Sequence, residues 1–214
     1  MRLQLFYAPQ TCATVPFITL TEAQTPFETI DLNSRSGDLK KPEFLKLNPK
    51  HKVPVLVIDG EPLTENIAIQ LWIARSFPQA KLLPAGPSEE IHAISFLAWC
   101  ASGIHPHLTP NARPQNYCDL PGSEESVKRV ANAMLFEDFR IADDLLAGRE
   151  WFFGRFTSAD AYFFWCFRRA ISFKLDVTQF ANCNAHLARM MERASVKKLV
   201  AHEQRVLAEF AQRK

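Results

Sequence analysis

Strand-like and helix-like patterns alternate as far as Ala74, and beyond Ser88 no segment reads as a strand. That switch of period confines the chain to a small α/β domain followed by an all-helical one. Leu3 to Tyr7 reads as a strand closed by Ala8-Pro9. A helix runs through Val15, Ile18, Leu20 and Ala23, and Phe27 to Leu32 is strand-like again. A polar helix around Phe44 to Leu47 leads into the β-branched run Val53 to Ile58. Asp59-Gly60 is then a two-residue hairpin signal before Pro62-Leu63. Ile67, Leu71 and Ala74 share one helical face. The order βαβ–α–ββα predicts a mixed four-stranded sheet with helices on it.

In the second half, Ile91, Ile94, Leu97, Ala101, Ile104 and Leu108 recur at helical spacing, as do Val127, Val130, Met134, Ile141 and Leu145. Val196, Leu199, Val200, Val206, Leu207 and Phe210 repeat the pattern near the end. Ala161 to Phe167 is apolar nearly all round, which predicts a helix at the centre of its bundle. Phe77 to Pro87 carries Pro78, Pro84, Gly86 and Pro87 and breaks any helix, so the expected domains are residues 1–79 and 88–214.

The 214 residues carry 25 Lys and Arg against 23 Asp and Glu, and that balance gives no basic face for nucleic acid. No apolar stretch is long enough for a membrane span, and Leu3 to Phe6 is too short for a signal peptide. Five cysteines, an odd number without a CxxC pair, fit reduced thiols in a cytosol better than disulfides or a zinc site. No metal is expected. His105 and His107 would need further ligands that the sequence does not supply.

Chemistry concentrates in a few places. Thr11 is a good helix N-cap, which would put Cys12 in a first helical turn, where free N–H groups favour a thiolate. Pro16 would distort that turn, and a buried, inert cysteine is the competing reading. Val53-Pro54, if cis, would turn the Val53 backbone outward to pair with an extended peptide. Thr64-Glu65-Asn66 opens a helix whose N-terminus suits a carboxylate while Glu65 suits an ammonium, although a simple helix cap has the same sequence. Thr157-Ser158-Ala159-Asp160 matches a capping box and reads as structural. Phe96 and Trp99 read as core or interface rather than a substrate box, and His105 as a helix-end histidine.

Taken together, Tyr7-Ala8-Pro9 with Cys12, Leu47-Asn48-Pro49-Lys50 before Val53-Pro54-Val55-Leu56, Leu63 to Ile69, Ala101 to His105 and Phe156 to Tyr162 resemble the soluble glutathione transferases, most closely the bacterial beta class. The resemblance covers essentially the whole chain. It implies a thioredoxin-like N-terminal domain with Pro54 cis, an all-α C-terminal bundle, a cytoplasmic homodimer, and glutathione as co-substrate. It also implies that Val53 pairs with the cysteinyl backbone of glutathione and that Glu65 and Asn66 hold its γ-glutamyl group. Cys12 is implied to lie beside the glutathione sulfur, with His105 facing the same site. Lys50, His51 or Lys52 would meet the glycyl carboxylate.

Several positions depart from the family pattern. Ala13 stands where Ser commonly follows the cysteine, Gln10 and His51 where Gly is usual, and Asn66 where Ser is commonest. Ala98 and Pro106 replace an Asn and a Lys that the beta class often places near glutathione. Without the Ser hydroxyl, Cys12 or Thr11 is left as the donor to the glutathione sulfur. Two mechanisms fit: attack of a glutathione thiolate on an apolar electrophile held by the helical domain, or thiol-disulfide exchange through Cys12, toward which the missing Ser tilts the reading. The alternative from another class is a non-catalytic, glutathione-binding or merely dimeric scaffold.

Overall fold

Strand β1 (Leu3–Tyr7) lies inside a four-stranded sheet ordered β2-β1-β3-β4, with β2 (Glu28–Asp31), β3 (Val55–Ile58) and β4 (Glu61–Thr64), in a computed structural model that describes residues 1–212. β1 runs parallel to β2 and antiparallel to β3, and β3 is antiparallel to β4. A parallel pair needs a crossover, and α1 (Thr14–Glu22) supplies it. The β3–β4 pair turns at Asp59 and Gly60, both left-handed at φ 48° and 97°, as a two-residue hairpin requires. α2 (Pro42–Leu47) precedes β3, and α3 (Asn66–Ser76) packs against α1. Leu3, Leu5 and Tyr7 alternate inward along β1. Val15, Ile18 and Leu20 from α1 and Ile69 and Ile73 from α3 are likewise fully buried. This is the mixed four-stranded sheet expected from the period of the sequence, in the thioredoxin-like fold that the resemblance implies.

One boundary differs from the sequence reading, and it bears on the site. α1 begins at Thr14, so Thr11 is not its cap and Cys12 is not in its first turn. Thr11 to Ala13 form a turn in which the Thr14 and Val15 N–H groups donate to the Thr11 and Cys12 carbonyls at 3.1 Å. Pro16 is the physical reason. At the third position of the helix its missing N–H is one that no intrahelical acceptor awaits. A helix begun at Cys12 would need that N–H to reach the Cys12 carbonyl. The Asn66 amide occupies that carbonyl instead, at 2.9 Å.

The remaining helices are α4 (Pro87–Trp99), α5 (His105–Ala112), α6 (Glu124–Leu145), α7 (Ser158–Ser172), α8 (Ala181–Glu192) and α9 (Ala194–Gln212). A single π-helical turn, Cys100–Ile104, joins α4 to α5. Gly103 is required there, because a Cβ would meet the Trp99 ring at 2.6 Å. The Trp99 indole N–H in turn donates to Asp138 Oδ1 at 3.2 Å, and His107 Nδ1 meets Asp138 Oδ2 at 2.6 Å. α7 is buried from Ala159 to Phe167, and its capping box is closed by Thr157 and Asp160 as the sequence indicated. Phe96 is buried against Phe152 and Phe163, so it is core as expected.

Contacts divide the chain into two units, Met1–Leu83 with the segment that begins at Met191, and Pro84–Met190. Helical period alone had grouped the last helix with the second half. Its bonds and those of the residue before it run to the first: Arg193 grips both oxygens of Glu22 at 2.9 and 2.8 Å, and His202 and Arg205 meet Asp31 at 2.8 and 3.3 Å. The buried row Val196, Leu199, Val206 packs α9 along α1. No helix among the described residues is long and apolar enough to cross a membrane.

Candidate functional site

Three segments of the first unit meet at Cys12. The residue is 8% exposed; its thiol donates to the Val53 carbonyl at 3.5 Å, and its own carbonyl accepts from Asn66. The Val53–Pro54 bond is cis. Burial pushes the Cys12 thiol up to about 12, against the lowering effect of hydrogen bonding at its own backbone and from the Asn66 amide. The Glu65 carboxylate raises it further and the Lys52 ammonium lowers it, so both charges are felt at the sulfur. The helix end invoked to favour a thiolate starts two residues too late, and desolvation wins. Cys12 is a neutral hydrogen-bond donor here.

Thr11 braces the turn. Its hydroxyl donates to the Ala8 carbonyl at 2.7 Å and accepts the Ala13 N–H at 3.3 Å. The Thr11 proton is held at 2.7 Å and the Cys12 proton only by the 3.5 Å bond to Val53, so Cys12 is the more readily released donor of the two.

The chain from Asn48 to Lys52 is held by one buried amide. Asn48 donates to the Lys52 carbonyl at 2.7 Å and accepts the Lys50 N–H at 3.1 Å, which leaves the His51 and Lys52 side chains exposed. His51 is left-handed at φ 46°, the conformation for which Gly is usual at this position. Lys50 reaches Thr64 Oγ1 at 3.0 Å and forms an ion pair with Glu65.

Glu65 directly precedes α3 with φ 70° and ψ 121°, a strained conformation for a residue bearing a Cβ, and its side chain is exposed. Its carbonyl accepts the Ile69 N–H at 3.0 Å, so the chain enters the helix at this residue. Asn66 is buried, with Oδ1 accepting from Gln70 at 3.2 Å and Nδ2 on Cys12. Asn66 therefore ties α3 to the Cys12 turn through its side chain, and its backbone lies in the first turn of α3, where N–H groups lack helical partners.

His105 belongs to the second unit, at the start of α5, with its ring edge-on to Trp165 at 4.5 Å. Among the described residues no group of three or more His, Cys, Asp or Glu side chains is arranged to hold a metal ion.

One group near the site escaped the sequence reading. Glu203 on α9 accepts from the Tyr7 hydroxyl at 3.0 Å and from the Gln10 N–H at 2.8 Å. A signal existed: Glu203 falls in the row of Val196, Leu199 and Val206, and an acid at a core position calls for buried donors.

A model of the N-terminal domain of glutathione S-transferases matches residues 1–75. Glutathione S-transferase GstA of Escherichia coli O157:H7 is 32% identical over 205 residues, covering 94% of this chain and 98% of its own. A bacterial beta class glutathione S-transferase from Sphingomonas chungbukensis superposes with a TM-score of 0.83 at 30% identity, covering 94% of this chain and 98% of that one. A sphingomonad glutathione S-transferase solved in complex with glutathione gives a TM-score of 0.81 at 28% identity, with the same coverage. The sheet, the cis proline and the Cys12 turn thus stand in a chain whose likeness to these enzymes runs nearly end to end, and the chain belongs to the glutathione S-transferase family.

Proposed function

We propose that the protein transfers glutathione to apolar electrophiles in the cytoplasm. The observation that carries this reading is the convergence of Val53, Cys12 and Asn66 in one hydrogen-bonded cluster, with Glu65 beside it. The Val53 backbone pairs with the cysteinyl part of glutathione, its carbonyl accepting the ligand's N–H in place of the Cys12 thiol, whose single proton then turns to the glutathione sulfur. Glu65 takes the ammonium of the γ-glutamyl group and the α3 N-terminus its carboxylate, while His51 and Lys52 are exposed for the glycyl carboxylate. Glutathione sulfur attacks the electrophilic carbon, the leaving group departs with the bonding pair, and the thiol proton goes to solvent. Cys12 supports this step as a neutral donor to the sulfur, which favours conjugation over exchange through Cys12 itself.

Calorimetric titration of glutathione into the reduced protein tests the reading. Binding is expected between micromolar and low-millimolar, and Glu65→Ala is expected to weaken it about tenfold, since one charge-assisted bond is lost. Absence of binding would leave a dimeric scaffold of the same fold as the better reading.

We further propose a homodimer. Val130, Met134, Ile141 and Leu145 expose an apolar row on α6, at 42–52% exposure, and Ile91 on α4 is 64% exposed. Sedimentation velocity is expected to give a particle of two chains that Met134→Glu, a charge in that row, converts to one.

A further inference from the structure

Glu203 is a buried carboxylate, 3% exposed, to which the proposed mechanism gives no role. Both of the donors named above converge on one of its oxygens, Oε1. Tyr7 closes β1 and is fully buried. Gln10 is left-handed at φ 62°, a conformation that a residue with a Cβ keeps when its surroundings fix it. Within the turn the Thr11 N–H and hydroxyl both donate to the Ala8 carbonyl, at 3.3 and 2.7 Å, and Asn66 and Val53 hold it at Cys12. Cys12 follows two residues after Gln10.

We propose that Glu203 is a positioning residue for the Cys12 turn. The C-terminal helix delivers a carboxylate that holds Gln10 in its left-handed conformation and thereby sets where Thr11 and Cys12 stand. The inference rests on the reading of that turn as part of the glutathione site. The rest of α9 and the residue just before it keep the carboxylate in place. Arg193 on Glu22 lies before it in the chain, His202 and Arg205 on Asp31 flank it, and the His202 ring packs on Tyr7 and Phe17 at 5.3 and 5.1 Å.

The test uses the full chain with Glu203→Leu, Glu203→Gln, Glu203→Asp and Tyr7→Phe. Alkylation of Cys12 by iodoacetamide, located by peptide mass, is read beside KM and kcat for glutathione. Glu203→Leu is expected to speed Cys12 alkylation about tenfold and to raise KM by a similar factor, with kcat changing less. Glu203→Gln keeps an acceptor oxygen and is expected to stay within about threefold of the parent in both readouts. Tyr7→Phe leaves Glu203 on Gln10 and should match the parent in both. If Glu203→Leu does not fold, Glu203→Asp decides, because withdrawing the carboxylate by one methylene should quicken alkylation about threefold while Glu203→Gln does not. No change in Glu203→Leu, or in Glu203→Asp where it decides, overturns the role, as does a Tyr7→Phe variant that behaves like Glu203→Leu. Alkylation requires no glutathione, so it reads the turn even where the glutathione titration fails.

Discussion

Asp160→Ala is expected to lower the unfolding free energy by about 3–5 kcal/mol, enough to threaten folding at growth temperature. The carboxylate is fully buried and both oxygens are engaged. Oδ2 accepts the Thr157 N–H at 2.8 Å and the Thr157 hydroxyl at 3.0 Å, while Oδ1 accepts the Phe152 N–H at 3.2 Å and lies 3.2 Å from His186 Nε2. Truncation strands these donors among the rings of Phe152, Phe163 and Trp151, which surround His186 and offer no replacement acceptor. An ordinary capping-box loss would cost about 1 kcal/mol. The larger figure follows because this box also holds Phe152 and His186, from beyond the helix itself. Chemical denaturation of the parent and the variant measures the difference, and thermal unfolding should show a fall of roughly 10 °C. Asp160→Asn keeps the shape but turns an amide N–H toward donors, so it should recover little. A loss under about 1 kcal/mol would reduce Asp160 to a simple cap.

The second large effect is chemical. Because burial raises the Cys12 thiol from the ordinary 9.0 to about 12, its thiolate fraction near neutral pH is about a thousandfold below that of a free thiol. Alkylation of Cys12 at pH 7 should be slower by about that factor than alkylation of a cysteine-containing peptide, and should rise about tenfold per pH unit without levelling before pH 10. The sign for stability follows from proton uptake. Between about 9 and 12 the folded chain keeps a proton on Cys12 that the unfolded chain has lost, so Cys12 favours the fold below that window and ceases to as pH rises through it. Cys118 is partly exposed, so peptide mapping must separate its reaction from that of Cys12. A plateau at the rate of a free thiolate near pH 7 would sink the neutral-donor role and return Cys12 to the exchange mechanism.

Local chemistry was the legible part of the sequence. Asp59-Gly60 specifies its hairpin within two residues, and Thr157 with Asp160 specifies a helix start within four, so both could be read without knowing the fold. The alternation of β1 and the apolar run in α7 were likewise plain from period. What failed to show were decisions made by distant residues. The start of α1 depends on Pro16, which is local, but the carbonyl that Pro16 leaves behind is met by Asn66, 54 positions away. The fate of the Cys12 thiol depends on burial, which no motif encodes, and burial reversed the direction that a helix end would have given. Thr11 looked like a cap and a donor because its type suits both, whereas its proton goes to Ala8. Glu203 reaches Tyr7 across 196 positions, and only its place in an apolar row hinted at it.

The return of α9 to the first unit also fixes an order of events during synthesis. Translation delivers β1 to α3 first, yet the partners of Glu22, Asp31 and Gln10 on α9 are made last. Pro84–Met190 is uninterrupted and can gather its contacts as it leaves the ribosome. The opening unit must wait for the end of the chain, and a transcript truncated before Ala194 yields a nascent protein whose first domain has an exposed α1 face and is a ready substrate for chaperones and proteases.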